Sequence, residues 1–98
     1  MLEHLVGIDY GRQKMSGENE VEALQERLDG LRALHGPAHD DVVACTTQLA
    51  ELIGEQGDSR SAYRLYGELG DALREQVGPF DVRTLDAYEG LARWIARS

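Results

Sequence analysis

The chain has few of the residues that would indicate disulfides or β-strands. It has one cysteine, Cys45, so no internal disulfide can form, as is usual for proteins of a reducing compartment. It has only two prolines, and its β-branched residues form no long run. Glu, Leu, Ala and Arg are abundant instead, and this mixture favours helices throughout the chain.

Long apolar runs and basic residues are also scarce. No stretch approaches the roughly 18 apolar residues of a membrane-spanning helix, and no basic segment followed by an apolar run marks a signal peptide. We therefore expect a soluble, cytoplasmic protein. Ten Lys and Arg residues face eighteen Asp and Glu residues, which gives a net charge of −8. This balance disfavours binding to nucleic acid or to an anionic membrane, because both depend on basic side chains.

The motifs of catalytic and cofactor sites are absent as well. The sequence has no phosphate-binding loop, dinucleotide-binding turn, zinc pattern or serine-centred elbow, so we expect neither an enzyme nor a cofactor. Cys45 lies in a helical pattern and is predicted to be a small buried thiol. His35 and His39 have a spacing that could chelate a metal. Because Gly36-Pro37 lies between them and breaks the helix, the pattern predicts that this geometry is spoiled and that no metal binds.

Five segments carry apolar residues at the spacing of amphipathic helices. They are residues 1–14, where the pattern is weakest, residues 18–35, a helix that begins at Asp40 or Asp41, one that follows Asp58, and one that starts at Asp81. An aspartate at a helix start can accept hydrogen bonds from the free amides of the first turn. The predicted buried faces of the last three helices are Val42 or Val43, Thr46, Leu49, Ala50 and Ile53; Ala62, Leu65, Tyr66, Leu69, Leu73 and Val77; and Leu85, Tyr88, Leu91, Ala92 and Ile95, with Trp94 beside them.

The pair Gly36-Pro37 returns 42 residues later as Gly78-Pro79, and the residues that follow return with it. The same offset relates Leu49 to Leu91, Ala50 to Ala92, and Ile53 to Ile95. A fixed period of this size is typical of helical-repeat proteins. It predicts close helix crossings at the small residues Ala50, Ala62 and Ala92.

Residues 43–76 resemble the tetratricopeptide repeat, and residues 85–98 resemble the start of a second copy. The small, large apolar and aromatic sites of the motif fall on Ala50 and Ala62, on Leu49 and Ile53, and on Tyr66; in the second copy Tyr88, Leu91, Ala92 and Ile95 follow in register. The 42-residue period is similar to the kinesin-light-chain type of this repeat. Leu69 and Thr46 depart from the pattern, which has a small residue and an aromatic at those two sites.

The resemblance implies an all-α fold of antiparallel hairpins, stacked as a short right-handed α-solenoid of about five helices. We expect one domain over residues 1–98. Its parts are a weak N-terminal helix and turn (1–17), an eroded hairpin helix (18–37), a central repeat (38–79) and a terminal helix (80–98).

The resemblance also implies a binding groove lined by the first helix of each hairpin. The corresponding positions are Ala44, Thr47, Glu51, Glu55, Asp86, Glu89, Arg93 and Arg97. Some family members bind the acidic tails of chaperones through Lys and Asn at these positions. This chain has neither residue at these positions, so a protein or peptide partner with basic character is expected. Catalytic residues are not expected.

Two alternatives remain open at this level. The terminal helix is rich in apolar residues, and Tyr88, Trp94 and Ile95 form a candidate face for self-association or for completing a larger helical stack. The excess of acidic residues also suits an inhibitor or decoy that blocks a basic site on another protein.

Overall fold

The computed structural model describes residues 20–98. This part of the chain contains four α-helices and no strand, which confirms the all-α prediction. Residues 20–35 are helical (α1) and are followed by α2 (Asp40–Glu55), α3 (Ser59–Val77) and α4 (Val82–Arg97). The helix predicted for residues 1–14 lies outside the described residues. None of the described helices is long and apolar enough to cross a membrane.

The helices begin and end close to the positions predicted from glycine, proline and aspartate. Gly36 and Gly78 take φ angles of +89° and +99°, a region that side chains strongly disfavour, and each ends a helix before a proline that cannot continue it. Asp58 and Asp81 cap α3 and α4 through hydrogen bonds from the backbone amides two or three residues further on.

The predicted cap of α2 is wrong. His39 takes the capping position, and its Nδ1 accepts a hydrogen bond of 3.1 Å from the amide of Asp41. Asp40 and Asp41 instead lie within the first turn, where their charge is favoured by the helix dipole.

The helices pack in chain order. α1 lies on α2 through a buried cluster of Leu28, Val42, Cys45 and Leu49. The thiol of Cys45 is buried, as predicted, and donates to the carbonyl of Leu24 at 3.6 Å. α3 then packs against both α2 and α4, and its residues occur in the two remaining core clusters.

The fourth helix is rotated relative to the prediction. Its buried residues are Thr84, Ala87, Gly90 and Trp94. Leu85, Ala92 and Ile95, which were predicted to point inward, are exposed, with Leu85 at 51% and Ile95 at 49%. Ala92 therefore does not form a close crossing. Val77 at the end of α3 was also predicted to be buried, and it is exposed.

Three helical glycines, rather than Ala92, allow aromatic rings to come close to the backbone of a neighbouring helix. A Cβ at Gly54 would lie 2.5 Å from the ring of Trp94, and one at Gly70 would lie 2.7 Å from the ring of Tyr88. A Cβ at Gly90 would lie 2.6 Å from the ring of Tyr66. Each ring thus lies directly against a helix backbone.

Thr46 is fully buried in α2, and its hydroxyl has no hydrogen-bond partner among the described residues. We expect Thr46→Val to raise the free energy of unfolding by about 1 kcal/mol, because valine has nearly the same shape and removes an unsatisfied polar atom. Chemical denaturation measures the change.

Thr84 provides a matched control, since it is equally buried but donates a 2.8 Å hydrogen bond to the carbonyl of Gly78. Thr84→Val should therefore lower the free energy of unfolding by about 1–2 kcal/mol. The same direction of change in both variants would contradict this explanation.

Candidate partner-binding cleft

A cleft of about 280 Å³ lies between α2 and α4, with α3 beneath it. The lining residues are Val43 and Thr47 from α2, Tyr66 and Leu69 from α3, and Arg83, Asp86, Ala87, Glu89 and Arg93 from α4. The nearly buried Tyr66 and Leu69 form the floor, and the more exposed charged residues of α4 form one wall. The cleft therefore combines an apolar base with a charged rim.

One end of the cleft is held by a cluster of Glu51, Tyr66, Arg93 and Trp94, which we call the Glu51 cluster. A single carboxylate oxygen, Glu51 Oε2, accepts hydrogen bonds from the Tyr66 hydroxyl at 2.5 Å and from the Trp94 indole at 2.9 Å. The Arg93 guanidinium donates to the same oxygen at 3.3 Å. These bonds join α2 to both α3 and α4.

The electrostatics of the Glu51 cluster favour a charged glutamate. Partial burial alone would raise the pKa of Glu51, but the hydrogen bonds from Tyr66 and Trp94 and the charge of Arg93 outweigh it, so the pKa lies below its ordinary value. Burial, together with the hydrogen bond to Glu51, raises the pKa of Tyr66. The phenol therefore stays protonated and donates to a carboxylate that stays ionised.

Arg83 makes a second connection beside the cleft. Its guanidinium contacts Asp81, the cap of α4, at 3.1 Å and Asp40, in the first turn of α2, at 2.9 Å. Both arginines that line the cleft are thus already paired with carboxylates of this chain.

The acidic residues of the cleft are not paired in this way. Asp86 and Glu89 are exposed on α4, and neither side chain has a hydrogen-bond or ion-pair partner within residues 20–98. Their charge is therefore not compensated locally, whereas that of Arg83 and Arg93 is. The unpaired charge of the cleft is negative.

The eight positions expected to line a groove fall into three groups. Thr47, Asp86, Glu89 and Arg93 line the cleft. Glu51 lies at its end and is occupied by its three donors. Ala44 and Glu55 are exposed on α2, and the Arg97 guanidinium stacks 4.3 Å from the Trp94 ring.

Sequence reasoning missed Val43, Tyr66, Leu69, Arg83 and Ala87 as lining residues. Val43, Tyr66 and Leu69 carry an apolar pattern that indicates only burial. Arg83 follows a capping aspartate by two residues, and this spacing was the one local signal that it would be held in place.

The candidate self-association face is also changed. Trp94 is only 1% exposed and belongs to the core, so it is not part of any accessible face. Tyr88 is half-buried, and its hydroxyl donates to Asp71 at 2.6 Å. The accessible large apolar residues of α4 are Val82, Leu85 and Ile95.

Comparison with models of protein families, with curated proteins and with solved structures gave no significant match to this chain.

Proposed function

We propose that the protein is a non-catalytic interaction module that holds a segment of a partner protein in the cleft between α2 and α4. The tetratricopeptide-like arrangement, a short α-solenoid in a reducing cytoplasm, is part of this proposal. It is supported by the 42-residue period, by the packing of the helices in chain order, and by a cleft lined by α2 and α4. In the repeat family, the first helix of each hairpin lines such a groove.

The observation that carries the proposal is the difference in pairing between the acids and the bases of the cleft. Arg83 and Arg93 are neutralised by carboxylates of the same chain, whereas Asp86 and Glu89 have no partner among the described residues. A partner segment that carries Lys or Arg gains attraction from the two free acids and loses little to the paired arginines. The partner is therefore expected to be basic.

A binding experiment with short peptides tests this. Fluorescently labelled decapeptides of equal length, either rich in Lys and Arg or rich in Asp and Glu, are titrated with the protein at low and at physiological salt. We expect the basic peptides to bind and the acidic ones not to bind. Asp86→Lys/Glu89→Lys should weaken binding by at least about 10-fold, since two attractive charges become repulsive.

The control must change the net charge equally at another place. Glu22 and Glu26 are exposed on α1 and do not line the cleft, so Glu22→Lys/Glu26→Lys serves this purpose. Equal losses in the two double variants would show that the peptides respond to total charge, and the cleft would be rejected as the site. A partner that nucleic acid displaces would favour the acidic decoy instead.

A second candidate function is favoured by the exposed apolar residues of α4. Leu49, Ala50 and Ile53 of α2 are buried or half-buried, because α1 and α3 both pack against α2. Of their counterparts on α4, Leu91 is half-buried, whereas Ala92 and Ile95 are exposed. A further helix, from another chain or another segment, would cover them and extend the stack. Light scattering after size exclusion tests self-association, and Leu85→Glu/Ile95→Glu should convert any dimer to monomer.

A further inference from the structure

The turn between α1 and α2 brings together two side chains that the sequence pattern was expected to keep out of chelating geometry. His35 is the last helical residue of α1, and His39 is the cap of α2. Gly36, with its φ of +89°, reverses the chain between them. As a result the two imidazole rings stack with their centroids 4.1 Å apart and their planes within 16° of parallel. Gly36-Pro37 ends the helix as expected, but the turn that it forms still brings the two rings together.

A carboxylate completes this group. Asp41 follows in the first turn of α2, and its Oδ2 lies 3.9 Å from Nδ1 of His39. One ligand atom from each of His35, His39 and Asp41 lies within 4.8 Å of the others, and all three residues are exposed. The group spans only seven residues, from 35 to 41, so the chain holds it together at little further cost in entropy.

We propose that His35, His39 and Asp41 form a binding site for a divalent transition-metal ion of the Zn²⁺ or Ni²⁺ type. Imidazole nitrogen with one carboxylate oxygen is a ligand set typical of these ions, while Mg²⁺ and Ca²⁺ select oxygen ligands. Three protein ligands leave at least one coordination position open to water or to a group from a partner.

Ion binding requires a small rearrangement. With metal–ligand bonds of about 2.0–2.1 Å, the ligand atoms of a tetrahedral site lie about 3.3 Å apart. The widest separation between ligand atoms must close by up to about 1.5 Å, and one imidazole must turn so that the nitrogen lone pairs converge. Because all three residues are exposed, no core packing opposes these rotations.

The surroundings offer both space and compensating charge. His35 and His39 line a cavity of about 310 Å³ whose other walls include Pro37, Gln76 and Val77. It shares no lining residue with the partner-binding cleft. The carbonyl end of the α1 dipole favours a cation at this point.

The capping bond of α2 competes with the ion. Nδ1 of His39 accepts from the amide of Asp41, and a metal that binds this nitrogen takes the same lone pair. The ion then replaces the cap, and it links the end of α1 to the start of α2. Binding should therefore stabilise the folded protein by mass action, despite the lost hydrogen bond.

Calorimetric and thermal-unfolding titrations with ZnSO₄, NiCl₂ and MgCl₂ test the proposal, on untagged full-length protein freed of metal by a chelator. We expect one Zn²⁺ or Ni²⁺ ion per chain, a rise in Tm with either ion, and no response to MgCl₂. His35→Gln should weaken binding by at least about 10-fold, because one of three protein ligands is lost.

His39→Asn tests the second ligand without removing the helix cap, since asparagine is itself a good capping residue. It should weaken binding by a similar factor while the helical circular dichroism is kept. His4→Gln, at the only other histidine in the chain, should leave binding unchanged. The proposal is overturned if the wild type does not respond to metal at about 100 μM. It is also overturned if both His35→Gln and His39→Asn bind as the wild type does.

Discussion

Replacing Gly54 with alanine is expected to lower the free energy of unfolding by about 2 kcal/mol or more, although alanine is the better helix former. The added Cβ would lie 2.5–2.7 Å from three atoms of the Trp94 ring. The ring cannot move away easily, because it is 1% exposed and its indole nitrogen is hydrogen-bonded to Glu51. Overpacking of this kind forces side chains or backbone to shift, and its cost exceeds the gain in helix propensity.

Urea denaturation measures the loss, and the fluorescence of Trp94, the only tryptophan, reports the displaced ring. Gly67 of α3 is the matched control. A Cβ there would meet Leu91 at 3.8 Å, which is an ordinary contact. Gly67→Ala should therefore stabilise the protein by about 0.5–1 kcal/mol. If Gly54→Ala proved as stable as Gly67→Ala, the close packing of Trp94 on α2 would be refuted.

Replacing Glu51 with alanine is expected to lower the free energy of unfolding by about 2–3 kcal/mol, the second large effect. The change leaves the Tyr66 hydroxyl and the Trp94 indole without their acceptor, and both residues are almost completely buried. A buried donor without a partner costs about 1–3 kcal/mol. Glu55→Ala, one turn later at an exposed position on the same helix, should change the free energy by less than about 0.5 kcal/mol.

The Glu51 cluster also predicts how stability depends on pH. The pKa of Glu51 is lower in the folded protein than its ordinary value of 4.5, which applies to the unfolded chain. The folded state therefore binds fewer protons, so this contribution is fully present above the unfolded pKa and is lost as the pH falls through the lower folded pKa. The stability difference between the wild type and Glu51→Gln should shrink over that range.

Asp58 and Asp81 also have lowered pKa values, caused first by their side-chain hydrogen bonds with Ser61 and Arg83. The wild type and Glu51→Gln both retain Asp58 and Asp81, so the contribution of these two residues cancels in the stability difference. Denaturation curves measured from pH 7 down to about pH 3 provide the test. A difference that stays constant over this range would show that the charge of Glu51 does not stabilise the cluster.

Glu51 supports the fold, whereas Asp86 and Glu89 are available for binding. Glu51 occupies a groove position in the sequence pattern, yet its carboxylate oxygen already accepts three hydrogen bonds from the chain itself. A charge reversal at Glu51 would weaken any binding by unfolding the cleft. Asp86 and Glu89 have no such structural bonds among the described residues, so changes at these two positions test binding alone.

Much of the helical framework was predictable from local signals. Apolar spacing located the four described helices, and the Gly-Pro pairs marked where α1 and α3 end. Asp58 was predicted as a cap and Asp81 as the start of the last helix, and both residues are the caps of their helices. Such signals act within one or two turns of the chain, so they can be read without a partner helix.

The burial of α4 was not predictable from the 42-residue period. The period relates Ala92 and Ile95 to the covered residues Ala50 and Ile53, but it says nothing about which neighbour covers them. In the structure the face with Gly90 turns inward because a glycine allows the Tyr66 ring to approach the helix backbone. The opposite apolar residues are then left outside.

The sequence by itself determined where helices form, where they end and that they recur, because these features depend on residues close together in the chain. Only the tertiary structure decided which residues meet. Glu51 finds its donors 15, 42 and 43 residues away, and these pairings depend on how three helices cross. His35 and His39 are close in sequence, but their stacking depends on the path of the Gly36 turn. Contacts between helices depend on how the helices pack, and this packing cannot be predicted from a local pattern of side chains.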